Sequence, residues 1–295
     1  MNKSLGVYSE RSATIYVGDA AGTLKTLDAG SARTCVTSPP YWGLRDYGQE
    51  GQLGAEDSPE AFIYNLCLVF DEVWRVLADD GTCWVNIGDS YGKTARGDVK
   101  VKDLVGIPWM FAFAMRARGW YLRQDIIWAK TNPMPESVTD RCTKSHEYIF
   151  LFSKQPSYYY DHEAIKEPAV AQNHHDATGT SYHAPGQSQQ TGNRDKATSG
   201  PFLRNKRSVW TVNVAAYKDA HFATYPTKLI TPCVLSGSAP GDTVLDPFSG
   251  SGTTGEVALL NDRNYVGIEL NPDYAALSEK RISVAVGMLG NVTVR

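Results

Sequence analysis

Apolar and polar positions along the chain switch between two periods. Residues 13–18, ATIYVG, form a run rich in β-branched side chains that breaks at Gly18 and Asp19, which predicts a strand. Residues 33–37, RTCVT, predict a second short strand that stops at Pro39 and Pro40. Proline has no N–H to give to a ladder, so the chain must leave the sheet there. A helical period follows. Ser58 caps it, Pro59 takes the first turn, and Phe62, Leu66, Val69, Val73 and Leu77 share one face, with Gly81 as the predicted stop. Residues 83–88, CWVNIG, read as a buried strand and 107–118 as a helix closed by Gly119. Residues 121–129 and 147–152 read as further strands.

The texture then changes. Residues 153–208 hold few aliphatic runs and many His, Gln, Asn, Ser, Thr and Gly, and 172–200 could not build a core alone. The stretch reads either as a recognition element or as a surface loop without a role. Order returns at 208–210. Residues 227–236 predict a helix that Pro232 either interrupts or starts. Residues 243–260 give strand, glycine loop and helix in succession, 265–270 another strand, and 273–286 a final helix. Strands and helices alternate at both ends. This predicts an α/β fold with an open, mostly parallel, doubly wound sheet. The chain divides into 1–152, an insertion at 153–208, and 209–295.

Composition narrows the function classes. With 295 residues, 42% of them hydrophobic, the chain suits one large domain with an insertion and excludes disorder throughout. No run approaches the ~20 apolar residues of a membrane span, and the polar start is not a signal peptide. The cysteines at 35, 67, 83, 142 and 233 form no C-x-x-C pair. That argues against a disulfide framework and for a reducing cytoplasm. Net charge is −3, yet it is segregated. Lys93, Arg96, Lys100, Lys102, Arg116, Arg118 and Arg123 face only Asp98 and Asp103 in their stretch. A local DNA-facing surface and an ordinary solvated face fit this equally.

The candidate chemistry lies in two places, each at a predicted strand end. The first is Asp246-Pro247-Phe248-Ser249-Gly250-Ser251-Gly252-Thr253-Thr254, between a strand and a helix. Gly250 and Gly252 let backbone approach a ligand where a Cβ would clash. Glu269 closes the next strand, where a carboxylate can take both hydroxyls of a ribose. The third glycine of a dinucleotide oxidoreductase turn is missing. The second is Thr37-Ser38-Pro39-Pro40-Tyr41. Two prolines fix the backbone, so the Ser38 hydroxyl and nearby carbonyl oxygens are held in one direction beside an aromatic face. That suits a flat heterocycle with an amino group. His162, His174, His175 and His183 lack a regular ligand spacing, and no metal site is read from them.

A (D/N/S)-P-P-(Y/F) motif followed by D-P-F-x-G-S-G-T-T resembles the S-adenosylmethionine-dependent DNA amino-methyltransferases. The order, with the catalytic motif first, resembles their β class, a circularly permuted arrangement of a Rossmann-like fold. The resemblance extends to Gly18-Asp19, to Asn86-Ile87-Gly88-Asp89, to Ile127-Trp128-Ala129-Lys130, and to Phe222-Ala223-Thr224-Tyr225-Pro226 with Lys228-Leu229.

The resemblance implies roles. Ser38 Oγ and the Pro39 carbonyl accept from the target amino group, Pro40 stiffens the turn, and Tyr41 stacks on a base flipped out of duplex DNA. Asp246, Phe248, Gly250, Gly252 and Thr253 line the methionine end of S-adenosylmethionine, with Tyr225 and Lys228 beside it. Glu269 holds the ribose. Asp19 has two readings, a cofactor-side acid and a helix cap. The 153–208 insertion becomes the target recognition region, with Arg194, Lys196, Arg204, Lys206 and Arg207 on phosphates and Gln or Asn on adenine edges. Carbon-5 cytosine chemistry is excluded, because Cys35 lies upstream of the prolines. Ser at the first motif position leans toward cytosine N4 over adenine N6. Family members are often dimers, so a homodimer, acting on nucleoid DNA in the cytoplasm, is expected. Methylation of a protein glutamine amide, and a DNA-binding module without catalysis, are the alternatives.

Overall fold

The computed structural model describes residues 11–44, 51–94, 98–169, 203–214, 225–287 and 290–295. Strand β1 (Arg11–Val17) leads into the short helix α1 (Ala20–Leu24), then β2 (Ala32–Thr37), α2 (Pro59–Val76) and β3 (Leu77–Ile87). Helix α3 (Ile107–Ala117) precedes β4 (Tyr121–Ala129) and β5 (His146–Ser153). The short strands β6 (Glu167–Pro168) and β7 (Leu203–Arg204) pair with each other, and β8 (Val209–Thr211) follows. The chain ends with α4 (Thr227–Gly237), β9 (Thr243–Asp246), α5 (Thr253–Leu260), β10 (Asn264–Glu269), α6 (Pro272–Val286) and β11 (Gly290–Val294).

Nine of these strands form one sheet in the order β11-β1-β10-β9-β2-β3-β5-β4-β8. Only β5 runs against the others, between β3 and β4. β1, from the start of the chain, is hydrogen-bonded between β10 and β11 near its end. Alternating strand residues feed two cores. Cys35, Val85, Phe150 and Phe152 pack with Leu24, Phe70 and Phe111 of α1, α2 and α3. Val36, Trp84, Ile149 and Leu151 pack with Val234, Leu259 and Ile282 of α4, α5 and α6. This is the expected doubly wound arrangement. Among the described residues no helix is long and apolar enough to cross a membrane.

Three local expectations differ. Gly81 does not stop α2. The helix ends at Val76, and Leu77 is already extended (φ −72, ψ 141). Pairing explains this: Leu77 sits opposite Ala32, and the ladder resumes at Thr34 opposite Thr82 after a register shift. Gly81 lies in that irregularity, where a Cβ would come 2.8 Å from the Arg33 carbonyl oxygen. Pro232 neither starts nor breaks α4, which runs through it while Leu229, Ile230, Cys233 and Val234 are held against the sheet. α1 and β11 lie outside the expected elements. The first is too short for a period, and the second gains its ladder only from β1.

At the middle of the sheet the winding reverses. β9 is followed by α5 on one face, and its neighbour β2 by α2 on the other. The loops leaving these two strands diverge and open a crevice at their carboxyl ends.

The α2–α3 contact gives a stability test. The Phe70 and Phe111 rings meet edge to face at 5.1 Å, and both are buried. Phe70→Ala should lower unfolding free energy by about 3–5 kcal/mol in urea titrations. A loss under about 1 kcal/mol would show that this ring pair does not carry the packing of α2.

Candidate active site

The two motifs meet through a buried carboxylate. Asp246 ends β9 and is inaccessible to solvent. It accepts from Thr37 Oγ1 (2.6 Å), the last residue of β2, from the Phe248 N–H (3.1 Å) and from the Tyr225 hydroxyl (3.3 Å). Burial pushes its pKa above the ordinary aspartate value, and these donors act against that rise. Thr254 of α5 adds a second tie, donating to the Val36 carbonyl at 3.2 Å and bonding the Tyr225 hydroxyl.

Beyond Asp246 the loop is held from below and behind. Ser249 N–H donates to the Ile268 carbonyl at 2.8 Å. Gly250 N–H donates to Glu269 Oε2 at 2.8 Å, and Asn271 N–H donates to Oε1 at 2.9 Å. Burial raises the Glu269 pKa above the ordinary glutamate value, opposed by these backbone donors. Arg281 of α6 reaches the loop hydroxyls, Thr253 Oγ1 at 2.7 Å and Ser251 Oγ at 3.2 Å, and pairs with Glu256.

On the other strand, Ser38 is half-buried and its hydroxyl makes no hydrogen bond with a described residue. Tyr41 is tethered. Its hydroxyl donates to Glu147 Oε2 at 2.7 Å, and a Cβ on Gly88 would lie 2.6 Å from its ring. Glu147 also pairs with Lys130.

One cavity of about 490 Å³ joins these parts. Ser38, Pro39, Pro40 and Tyr41 border it from the β2 side. Phe248, Gly250, Thr253, Glu269, Tyr225 and Asp19 border it from the other. Asp19 also accepts from the Gly22 N–H at 2.7 Å, so the capping reading of this residue is realised while it faces the cavity. Asp246 and Gly252 do not border the cavity. The first braces the loop from beneath, and the second packs on Ser278. Lys228 is exposed and stands apart from it.

Of the expected phosphate-binding residues, the described ones, Arg204, Lys206 and Arg207, do not border this cavity. Arg204 and Arg207 both pair with Glu167, and the Lys206 ammonium lies 4.9 Å over the Trp210 ring. Arg194, Lys196, His174, His175, His183 and residues 222–224 lie outside the described residues. The mouth carries other residues that sequence reading missed, among them Glu147, Lys144, His146 and Met134 from the β4–β5 loop and the start of β5. Burial lowers the Lys144 pKa. A single acid opening the apolar run EYIFLF was the available signal for Glu147. The loop residues had none, because their position depends on β5 reversing direction.

Comparisons with known proteins agree with this geometry. A family model described as DNA methylase, for N6 and N4 enzymes, matches residues 32–280. The type II methyltransferase M.Cfr9I of Citrobacter freundii is 47% identical over 291 residues, 92% of this chain and 87% of that protein. M.SmaI of Serratia marcescens is 47% identical over 295 residues, 92% and 91% respectively. A putative DNA modification methylase from Thermus thermophilus, solved with S-adenosyl-L-methionine, superposes with a TM-score of 0.64 at 26% identity, covering 96% of this chain and 100% of that one. The cytosine-N4-specific PvuII DNA methyltransferase shares the fold, with a TM-score of 0.68 at 19% identity over 97% and 96%.

The two loop glycines differ in what constrains them. Gly252 has φ +80 and a Cβ there would meet Ser278 Oγ at 2.4 Å and Cα at 2.9 Å, whereas Gly250 has φ +52 and only the Phe248 carbonyl oxygen at 3.9 Å. Gly252→Ala should therefore cost about 2–4 kcal/mol and Gly250→Ala about 1 kcal/mol in chemical unfolding. Equal losses would mean that α6 does not press on the loop.

Proposed function

The chain belongs to the N6/N4 DNA methylase family, and from that premise we propose that its target is the N4 amino group of a cytosine flipped out of duplex DNA. At the coarser level it is a site-specific DNA methyltransferase that uses S-adenosylmethionine. The Ser38 hydroxyl supports an exocyclic amino group as target, and the lean to cytosine rests on Ser standing first in the motif, as the family resemblance implies. This hydroxyl has no partner among the described residues and borders the same cavity as Gly250 and Glu269.

The residues present fit the cofactor. Glu269 keeps lone pairs beyond the backbone N–H groups it accepts, enough for two ribose hydroxyls. Gly250 offers backbone without a side chain, and Phe248 supplies an apolar wall. When bound, S-adenosylmethionine supplies an electrophilic methyl group on a sulfonium. The protein's task is to make a poor nucleophile attack. The lone pair of an exocyclic amino group is delocalised into the ring. Ser38 Oγ and the Pro39 carbonyl accept from its hydrogens and stabilise the positive charge that develops on nitrogen. Tyr41 stacks on the base, and positioning supplies much of the rate. Flipping costs a few kcal/mol, met by contacts made outside the helix.

Residues 153–208 form the target recognition region in this proposal, between a catalytic segment 1–152 and a cofactor segment 209–295. Arg194, Lys196 and Lys206 contact phosphates. Arg204 and Arg207 join them by exchanging Glu167 for phosphate. A homodimer acting on nucleoid DNA in the cytoplasm completes the proposal.

The deciding experiment incubates the protein with labelled cofactor and mixed-sequence duplex DNA and identifies the labelled nucleoside. N4-methylcytosine supports the proposal, N6-methyladenine replaces its target base, and label confined to protein overturns it. Ser38→Ala should leave cofactor affinity unchanged and slow turnover by about 10²–10³-fold. Wild-type turnover in that variant would refute the mechanism. Cofactor affinity should also fall with pH. A protonated Glu269 is a weaker acceptor, and its raised pKa moves the loss to a higher pH than an ordinary glutamate would show. Binding titrations of wild type and Glu269→Gln check this, since the amide should bind weakly without the pH dependence.

A further inference from the structure

We propose that Glu147 is a positioning residue that holds the Tyr41 ring at the angle a flipped base needs. The idea rests on the reading of Tyr41 as the stacking residue. A tyrosine at the rim of a cavity swings about two side-chain torsions unless something restrains its far end. Here both ends are restrained. The ring lies against Gly88, where any Cβ would sit 2.6 Å from Cε2. The hydroxyl donates to Glu147 Oε2 at 2.7 Å, a charge-assisted bond.

Glu147 is itself held by two other groups. Its other oxygen, Oε1, pairs with the Lys130 ammonium, which also lies 4.5 Å over the Trp128 ring. Asn86 Nδ2 donates to Glu147 Oε2 at 3.2 Å and to the Tyr148 carbonyl at 3.1 Å, tying the carboxylate to β3 and β5. The Glu147 side chain is only 14% exposed and that of Lys130 only 19%, so neither charge swings freely in water. Neutralising Lys130 would occupy one carboxylate oxygen. The second accepts from Tyr41 at 2.7 Å and more weakly from Asn86 at 3.2 Å, and its bond to Tyr41 points to ring orientation as its purpose. A loosened ring would spend less time in the geometry from which transfer proceeds.

Single-turnover methyl transfer to duplex DNA by the full chain tests the idea, with Tyr41→Ala, Tyr41→Phe, Glu147→Ala and the Tyr41→Phe/Glu147→Ala double variant. Cofactor affinity is read in parallel from tryptophan fluorescence. Tyr41→Phe and Glu147→Ala should each slow transfer about tenfold or more with cofactor affinity nearly unchanged. Tyr41→Phe also removes the hydroxyl's longer bond to Asn86 Oδ1 at 3.4 Å, so the double variant should be no slower than Tyr41→Phe. Losses that multiply, or a wild-type rate in Glu147→Ala, would overturn the proposal. If Glu147→Ala loses cofactor binding through misfolding, Tyr41→Phe decides alone. It removes the tether and leaves the carboxylate in place, so an unchanged rate overturns the proposal and a selective rate loss supports it. A wild-type rate in Tyr41→Ala would instead overturn the stacking role on which the proposal rests.

Discussion

The hydrogen bond from Thr37 to the buried Asp246 carboxylate carries the geometry on which the site depends. Thr37 closes β2 and Asp246 closes β9, neighbours where the sheet reverses its winding. Without a cross-link, the two loops would diverge from that point, each following its own helix to an opposite face. A carboxylate out of contact with water is costly unless donors surround it. Asp246 accepts from Thr37 on the neighbouring strand, from Tyr225 and from Phe248 in its own loop. The bonds that offset its burial therefore also fix the distance between a loop that can hold a cofactor and a loop that can hold its acceptor. Burial holds the Asp246 pKa above the ordinary aspartate value, and these hydrogen bonds oppose it.

Around this link the cavity separates braced groups from an unengaged one. Glu269 is set by Gly250 and Asn271, the loop hydroxyls by Arg281, and Tyr41 by Glu147. Ser38 stands between them with its hydroxyl uncommitted among the described residues. Preorganised surroundings and an acceptor hydroxyl left for substrate suit a reaction whose barrier lies in charge development at a weak nucleophile. Such a reaction asks little covalent chemistry of the protein and much positioning.

The charge pattern taught less than the motifs did. Basic residues in the polar stretch read as a phosphate-facing set, yet Arg204 and Arg207 share Glu167 and lie away from the cavity. Linear charge counts cannot register an acid that arrives from another strand. The connection between β4 and β5 brings Lys130, Glu136 and Lys144 to the cavity, and Glu147 at the start of β5 borders it too. Nothing in the local composition of that connection marks it, because its place follows from β5 entering the sheet in reverse between β3 and β4.

The sequence by itself determined the elements and the two motifs. Proline after β2, glycines after β9 and an acid closing β10 are each written in adjacent residues. The alternation of strand and helix was legible for the same reason, since a period of apolar residues records which face is buried. Tertiary structure alone decided the rest. It ended α2 at Val76 by pairing Leu77 with Ala32, carried α4 through Pro232 and created β11 beside β1. It also joined Asp246 to Thr37 and Glu147 to Tyr41. These outcomes depend on strand neighbours distant in the chain, and the hydrogen bonds that choose between local alternatives exist only once those neighbours are in place.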